Sequence, residues 1–261
     1  ETNVVQGWDD PRMPTLAGLR RRGFTATAIR NFCESVGVAR SESIVDLGML
    51  EHAIRDDLDK NSPRAMCVLN PVTVVLKNLS DDHLEILSMA NHPKADEMGR
   101  RSVPLTKRIV IDRSDFEEVP PQGFKRLILG GEVRLRGAYV IKCIDVIKDD
   151  AGNIVELNCS VDLDTLGKKP EGRKVKGVIH WVSEAKGVPL SVRLYDRLFN
   201  VENPESKDIE DFRECLNKDS LVEITSCIAE PSIVEKGASS NYQFEREGYY
   251  CLDEKDSLEN K

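Results

Sequence analysis

Apolar positions along the chain change their period near residue 64. Before it they recur at helical spacing. Pro14 and Thr15 open a short helix that Gly23 ends. Thr25 is placed to cap a second helix, along which Ala28, Ile29, Phe32, Cys33 and Val36 fall on one side until Gly37 stops it. A third helix is predicted from about Asp46 to Lys60, with Leu50, Ile54 and Leu58 on one stripe and Asn61, Ser62 and Pro63 at its end. The pattern up to residue 64 predicts a compact bundle of small helices.

After Arg64 the period becomes two. MCVLN, VTVVLKNL, HLEIL and RIVIDR are short strand-like runs, and EVRLRGAYVIKCIDVIK is the longest β-rich stretch. Asp150-Ala-Gly-Asn153 breaks it before IVELNCSVD resumes, which is a hairpin signature with glycine in the loop. GVIHWVS, LSVRLYDRLF, SLVEITSCIAE and YQFEREGYYCL read as further strands. DIEDFRECLNK reads as the one helix inside this half. Strands this short and this regularly spaced point to barrels rather than βαβ units. The fold class is therefore mainly β with an N-terminal helical segment.

Composition narrows the function. Apolar residues make up 40% of the 261 and charged residues 31%, an ordinary globular balance with no apolar run long enough for a membrane span. The first residues lack both a signal-peptide pattern and a starting Met, so the chain is expected to begin inside a longer protein. Seven cysteines without a CxxC read as reduced, mostly buried thiols of a cytosolic protein, with Cys33 and Cys143 on the apolar side of their elements. The four histidines are scattered, which weighs against a metal site. Phosphate-loop, nucleophile-elbow and zinc-protease motifs do not occur, so no catalytic constellation is predicted.

The net charge of −8 argues against a nucleic-acid binder until its distribution is considered. Arg100 to Lys142 holds ten Lys or Arg against five Asp or Glu, whereas Glu202 to Lys261 holds seven against sixteen. An RNA surface needs only a local positive face. In FKRLILGGEVRLR, Lys125, Arg126, Arg134 and Arg136 lie close together, and Arg134 and Arg136 share one strand face. Two such guanidinium groups repel unless an anion lies opposite. They either form a solvated face neutralised by Glu117, Glu118 and Glu132, or they bind a phosphate or base. Lys168, Lys169, Arg173, Lys174 and Lys176 form a second basic loop that is either solvent-facing or tracks an RNA backbone. Arg64, at the switch of period, is a structural clamp or a ligand group. Trp181 and His180 in GVIHWVS fit a core position better than a base-stacking one.

The longer strings carry a resemblance. GWDDPRMPT, LRRRGFTATAIRNFCESVGV, EMGRRSVPL, FKRLILGGEVRLRGAYVIK, EGRKVKGVIHWVS, VRLYDRLF and YQFEREGYYCLD stand in family order from residue 7 to 253. They resemble class I glutaminyl- and eukaryote-type glutamyl-tRNA synthetases, in the segment that follows the catalytic domain, with RMPT and AIRNFCESVGV closer to the glutaminyl form. The HIGH- and KMSKR-type signatures of the family's catalytic domain are not in this sequence. The resemblance thus implies the tRNA-binding portion of a glutamine–tRNA ligase, with no catalytic residue, cofactor or metal of its own and no activity alone. The ATP site, with magnesium, would belong to the parent enzyme. It also implies further chain after Leu252 with a pattern like FNRTVGLRDTW, so that Glu254 to Lys261 would leave a barrel edge exposed.

The resemblance further implies a small helical bundle followed by two six-stranded-type β-barrels, the ribosomal protein L25-like anticodon-binding fold. The helical segment, residues 1–64, would touch the tRNA stem. The anticodon-binding region, residues 65–261, would divide into a proximal barrel (about 65–115 plus 191–261) and a distal barrel (about 116–190). Matched by motif, Arg64, Asn91, Lys125, Arg126, Arg134, Arg136, Gln243, Glu245 and Arg246 would face the anticodon. Phe124 stands where the family has Tyr. Arg40, Ser41, Lys168 and Lys174 would meet stem or backbone. The amide of Gln243 suits a uracil edge. The partner implied is tRNA(Gln), bound by a cytoplasmic monomer with no DNA or membrane partner. The competing readings are the same region of a glutamyl-tRNA synthetase and a protein-docking module that no longer binds RNA.

Overall fold

A computed structural model describes residues 4–37, 44–235 and 239–257. The three expected helices form, each started by the side chain the sequence offers. The Thr15 hydroxyl accepts the Gly18 N–H at 3.0 Å and opens α1 (Leu16–Arg21). Thr25 accepts the Ala28 N–H at 3.1 Å and opens α2 (Ala26–Val36). Asp46 accepts the Gly48 N–H at 2.8 Å and opens α3 (Leu47–Asn61). Ala28, Ile54 and Leu58 pack α2 against α3, and the Thr25 hydroxyl donates to Asp57 at 2.6 Å. Cys33, expected on the buried side, is exposed. The reason is the narrow contact: Ala28 is the buried residue of α2, and the later turns of that helix stand in solvent.

The β part is organised around one seven-stranded sheet. Its order is Val178–Ile179, Glu132–Leu135, Val140–Lys148, Ile154–Asp162, Pro71–Leu76, Arg108–Asp112 and Val182–Ser183. Hydrogen bonding therefore runs across the expected boundary near residue 116. The two edge strands are consecutive in the chain, separated by His180 and Trp181 alone. Ile179 and Val182 are three positions apart and cannot lie more than about 11 Å from each other. The sheet must curl until its edges nearly meet, giving a half-barrel closed at a two-residue seam. Trp181 fills that seam at 0% exposure, and its indole N–H donates to the Arg136 carbonyl at 3.0 Å. Leu76, Ile109, Ile111, Leu135, Ile141 and Leu157 pack inside.

The remaining strands join distant parts of the chain. Arg64–Ala65 runs parallel to Asn241–Phe244, which pairs antiparallel with Gly248–Cys251. Cys67–Val68 pairs with Leu221–Ala229, itself paired with Val188–Tyr195. Gly152, at φ +83, turns the predicted hairpin between Val140–Lys148 and Ile154–Asp162. The helix expected over DIEDFRECLNK reduces to a single 3-10 turn, Phe212–Cys215. Phe212 is 54% exposed, so the segment lacks the buried apolar stripe that holds a longer helix. All seven cysteines are free thiols, four of them buried.

One buried ion pair ties these pieces together. Arg101 pairs with Glu230, their side chains 5% and 1% exposed. The Arg101 guanidinium also donates to the Ala90 carbonyl at 2.6 Å, and Glu230 accepts the Met66 N–H at 3.0 Å. Removing one partner strands a charge in the interior. Arg101→Met is expected to destabilise the fold by about 3–5 kcal/mol, whereas the double change Arg101→Met with Glu230→Met recovers much of that loss. Urea unfolding of the three proteins checks this; equal stability of wild type and single variant would contradict it.

Candidate nucleic-acid interface

A basic pocket opens between the segment Gly123–Arg126 and the loop 173–177, with strand residues beneath. Its volume is about 610 Å³. Six cationic side chains border it, Lys125, Arg126, Lys142, Arg173, Lys174 and Lys176, against one carboxylate, Glu132. Glu132 is engaged by Arg173 at 2.9 Å. The half-buried ring of Phe124 adds an aromatic wall. The pocket depends on Gly177: a Cβ there would stand 1.9 Å from the Lys125 carbonyl oxygen, so only glycine lets the loop approach so closely. Lys125 lines this space and has no ion-pair partner among the described residues.

Arg126 leads from the pocket to a second group of charges. Its Nε lies 3.2 Å from an oxygen of Asp115, and its Nη1 donates to the Ser114 carbonyl at 2.9 Å. Asp115 is wholly buried and is gripped from the other side by Arg246, whose two terminal nitrogens donate at 2.6 and 2.7 Å. This pairing raises the Arg246 guanidinium above its ordinary pKa against the opposing effect of burial. Arg246 also lies 3.3 Å from Nδ1 of the buried His180. Glu245, next along the turn, pairs with Arg136 at 2.9 Å. Arg134 in the strand Glu132–Leu135 and Arg136 just past its end both face outward as expected, alternating with buried Val133 and Leu135. Their guanidinium groups then part. Arg134 donates to the carbonyls of Ala138 at 3.0 Å, Thr165 at 2.8 Å and Lys168.

Arg64, Asn91 and Gln243 form a third group. Arg64 and Gln243 are register partners in the parallel pair, and the Arg64 N–H donates to the Asn91 carbonyl at 2.6 Å. The Arg64 side chain is buried, bonded to the Ser62 carbonyl at 2.9 Å and to Asp59 at 2.8 Å. The Asn91 amide donates to the Met98 carbonyl at 2.9 Å. Gln243 Oε1 is buried without a hydrogen-bond partner among the described residues.

The strand Asn241–Phe244 and its following turn thus act as a spine. Gln243 meets Arg64, Glu245 meets Arg136, and Arg246 meets Asp115, which holds Arg126 at the pocket rim. Lys174 borders the pocket, and Lys168 is exposed above Arg134. Arg40 and Ser41 lie outside the described residues. Sequence reasoning passed over Asp115, which no motif marks, and placed His180 in the core without its contact to Arg246. Of the carboxylates Glu117, Glu118 and Glu132 that the alternative of a neutralised face offered, Glu118 pairs with Lys148 and Glu132 with Arg173. Among the described residues no group of His, Cys, Asp or Glu is arranged to hold a metal ion, and no helix is long and apolar enough to cross a membrane.

Comparison with known proteins fits this geometry. The model of the anticodon-binding domain of class I tRNA synthetases (E and Q) matches residues 62–162, and a second model of the same description matches residues 178–253. The catalytic-domain model of the same class matches residues 1–60. Among curated relatives, the glutamine–tRNA ligase of Stutzerimonas stutzeri (strain A1501) is 59% identical over 255 residues, covering 97% of this chain and 46% of the relative. That of Ectopseudomonas mendocina (strain ymp) is 59% identical over 258 residues, 98% of this chain and 46% of the relative. That of Azotobacter vinelandii (strain DJ / ATCC BAA-1303) is 58% identical over 254 residues, with 97% and 46% covered. The chain spans just under half the length of these relatives. It belongs to the class I tRNA synthetases of the glutamate and glutamine group and carries their anticodon-binding domains.

Proposed function

We propose that this chain recognises tRNA(Gln), chiefly through its anticodon loop, as part of a cytoplasmic, monomeric glutamine–tRNA ligase that joins glutamine to tRNA(Gln) with ATP and magnesium. The observation that carries the reading is the basic pocket beside Phe124. Its size and its excess of cations suit an unstacked nucleotide: the phosphate meets Lys or Arg, and the base meets an aromatic wall. We assign recognition to this chain and the ligation chemistry to the parent enzyme.

We assign base reading to Lys125, Arg126, Arg136, Gln243, Glu245 and Arg246. Asn91 positions Arg64 through its backbone carbonyl. Arg64 itself reads a base by exchanging Asp59 for the nucleotide, and Gln243 Oε1, buried and unsatisfied within the fold, accepts from a base edge once tRNA binding uncovers it. Arg134 shapes the loop carrying Lys168. Lys168 and Lys174 neutralise phosphates, and Arg40 and Ser41 meet the stem. The larger frame is the L25-like pair of barrels, with a division from the helical segment near residue 64. The pairing of strands 64–68 with strands from 221–244 supports a proximal barrel built from both ends of that region.

Two sets of variants test the reading by gel shift against tRNA(Gln), tRNA(Glu) and a tRNA(Gln) with a changed anticodon, at two salt concentrations. Arg126→Ala and Arg246→Ala are expected to cost roughly 1–3 kcal/mol each and to reduce discrimination between anticodons. Lys168→Ala and Lys174→Ala are expected to weaken all three tRNAs alike and to flatten the dependence on salt. Binding that ignores the anticodon, with protein partners still captured, would replace this reading by a docking module.

A further inference from the structure

Arg246 occupies the turn between Asn241–Phe244 and Gly248–Cys251 with φ +72, the one non-glycine residue at positive φ among those described. A long side chain is strained in that conformation, and such strain persists only where the surroundings hold it. Here the holders are identifiable. Asp115 closes a two-point carboxylate–guanidinium pair with Arg246 and reaches Arg126 with the same group. His180 presents Nδ1 to the Arg246 Nη1 at 3.3 Å. Both holders are fully buried, at 0% exposure, so neither can touch an RNA directly. The Arg126 and Arg246 side chains remain 42% and 29% exposed, and each keeps N–H donors beyond those given to protein.

Resting on the anticodon reading above, we propose that Asp115 and His180 are the positioning residues that aim Arg126 and Arg246 at one and the same anticodon nucleotide. Asp115 sits on the short turn Arg113–Asp115 at the end of a sheet strand, and His180 sits in the two-residue seam that closes the half-barrel. Both positions are set by the sheet itself. The pair of arginines is thereby referenced to the rigid core rather than to the mobile reach of two long side chains, which is what base discrimination needs.

The contact with Arg246 requires an unprotonated Nδ1. Burial pushes His180 below the ordinary imidazole pKa, and Arg246 pushes the same way. Asp115 and Asp112 oppose this from the segment before Phe116, as does the backbone of Cys67. Glu247 lies 3.8 Å from the far ring nitrogen and is itself pushed above its ordinary carboxylate value by burial. Because the folded pKa of His180 is depressed, its neutral form prevails at and above about pH 6.5. Protonation sets in only below that, and it would place a cation against Arg246.

The test measures binding of the chain to tRNA(Gln) and to three single-nucleotide anticodon variants. Arg246→Lys first identifies the anticodon position that Arg246 reads. Asp115→Asn is expected to lose discrimination at that same position by about tenfold while keeping it elsewhere. Combining Asp115→Asn with Arg246→Lys is expected to add little. His180→Asn keeps an acceptor near the Nδ1 position and cannot protonate. His180→Asn is expected to hold discrimination at this position and His180→Leu, which offers no acceptor to Arg246, to lose it, with wild type unchanged between pH 7.5 and 6.5, where the depressed imidazole stays neutral. If Asp115→Asn fails to fold in a thermal melt, the contrast between His180→Asn and His180→Leu decides alone. Uniform weakening across all four tRNAs, or unchanged discrimination in Asp115→Asn, overturns the positioning role. Failure of wild type itself to distinguish any of the tRNAs sinks instead the anticodon reading on which the proposal rests.

Discussion

Guanidinium groups gathered on one surface repel each other, and the fold answers this by placing a carboxylate or carbonyl oxygen against nearly every one. Asp115 stands between Arg126 and Arg246, Glu245 faces Arg136, Asp59 faces Arg64, and three backbone carbonyls hold Arg134. Without these oxygens the array would splay toward water. With them these arginines are already satisfied within the protein, and on the proposed reading a nucleotide has to compete for donors that are in use. Affinity is then a difference between two sets of hydrogen bonds, and geometry decides which set wins.

The same exchange reaches the helical segment through the last turn of α3. Asp59 accepts from Arg64 and from the Tyr249 hydroxyl at 3.2 Å, and its carbonyl lies 2.7 Å from His92. Asp57, two residues earlier, accepts from Thr25 at the start of α2. One helix end therefore contacts the strand of Arg64, the strand of Tyr249 and the neighbouring helix. A movement of Arg64 away from Asp59 would be felt at that helix end, which lies where the match to the catalytic-domain model stops.

Local chemistry was legible where a single residue decides it. Thr15 and Thr25 mark helix starts because a hydroxyl before an apolar run satisfies an N–H that has no other partner. The two-residue period placed Arg134 and Arg136 on one face, and the apolar neighbours of Trp181 placed it inside. What stayed hidden depends on distant segments meeting. The Asp115 carboxylate lies 131 positions from Arg246 along the chain, and no periodicity encodes that contact. Arg101 and Glu230 are likewise 129 apart. The seam at His180–Trp181 emerges only once the two halves of GVIHWVS are seen on opposite edges of one sheet. Residues 212–215 misled in the other direction, since helical composition without a buried stripe is not enough to hold a helix.

The net negative charge has a physical use within this arrangement. Part of the acidic tail is held in clamps: Asp253 and Asp256 bind Arg21 and Arg193, joining the end of the described chain to α1 and to the strand Val188–Tyr195. Lys255 reaches back to Asp9 at 2.7 Å. The cations without an ion-pair partner among the described residues include four at the pocket, Lys125, Lys142, Lys174 and Lys176, while Arg126 and Arg173 there are paired. On the proposed reading, a chain that is acidic overall repels a polyanion in most orientations and attracts it at the pocket, so charge favours orientation over affinity. The fixed pairs at Asp115 and Glu245 then act at short range, after that orientation has been found.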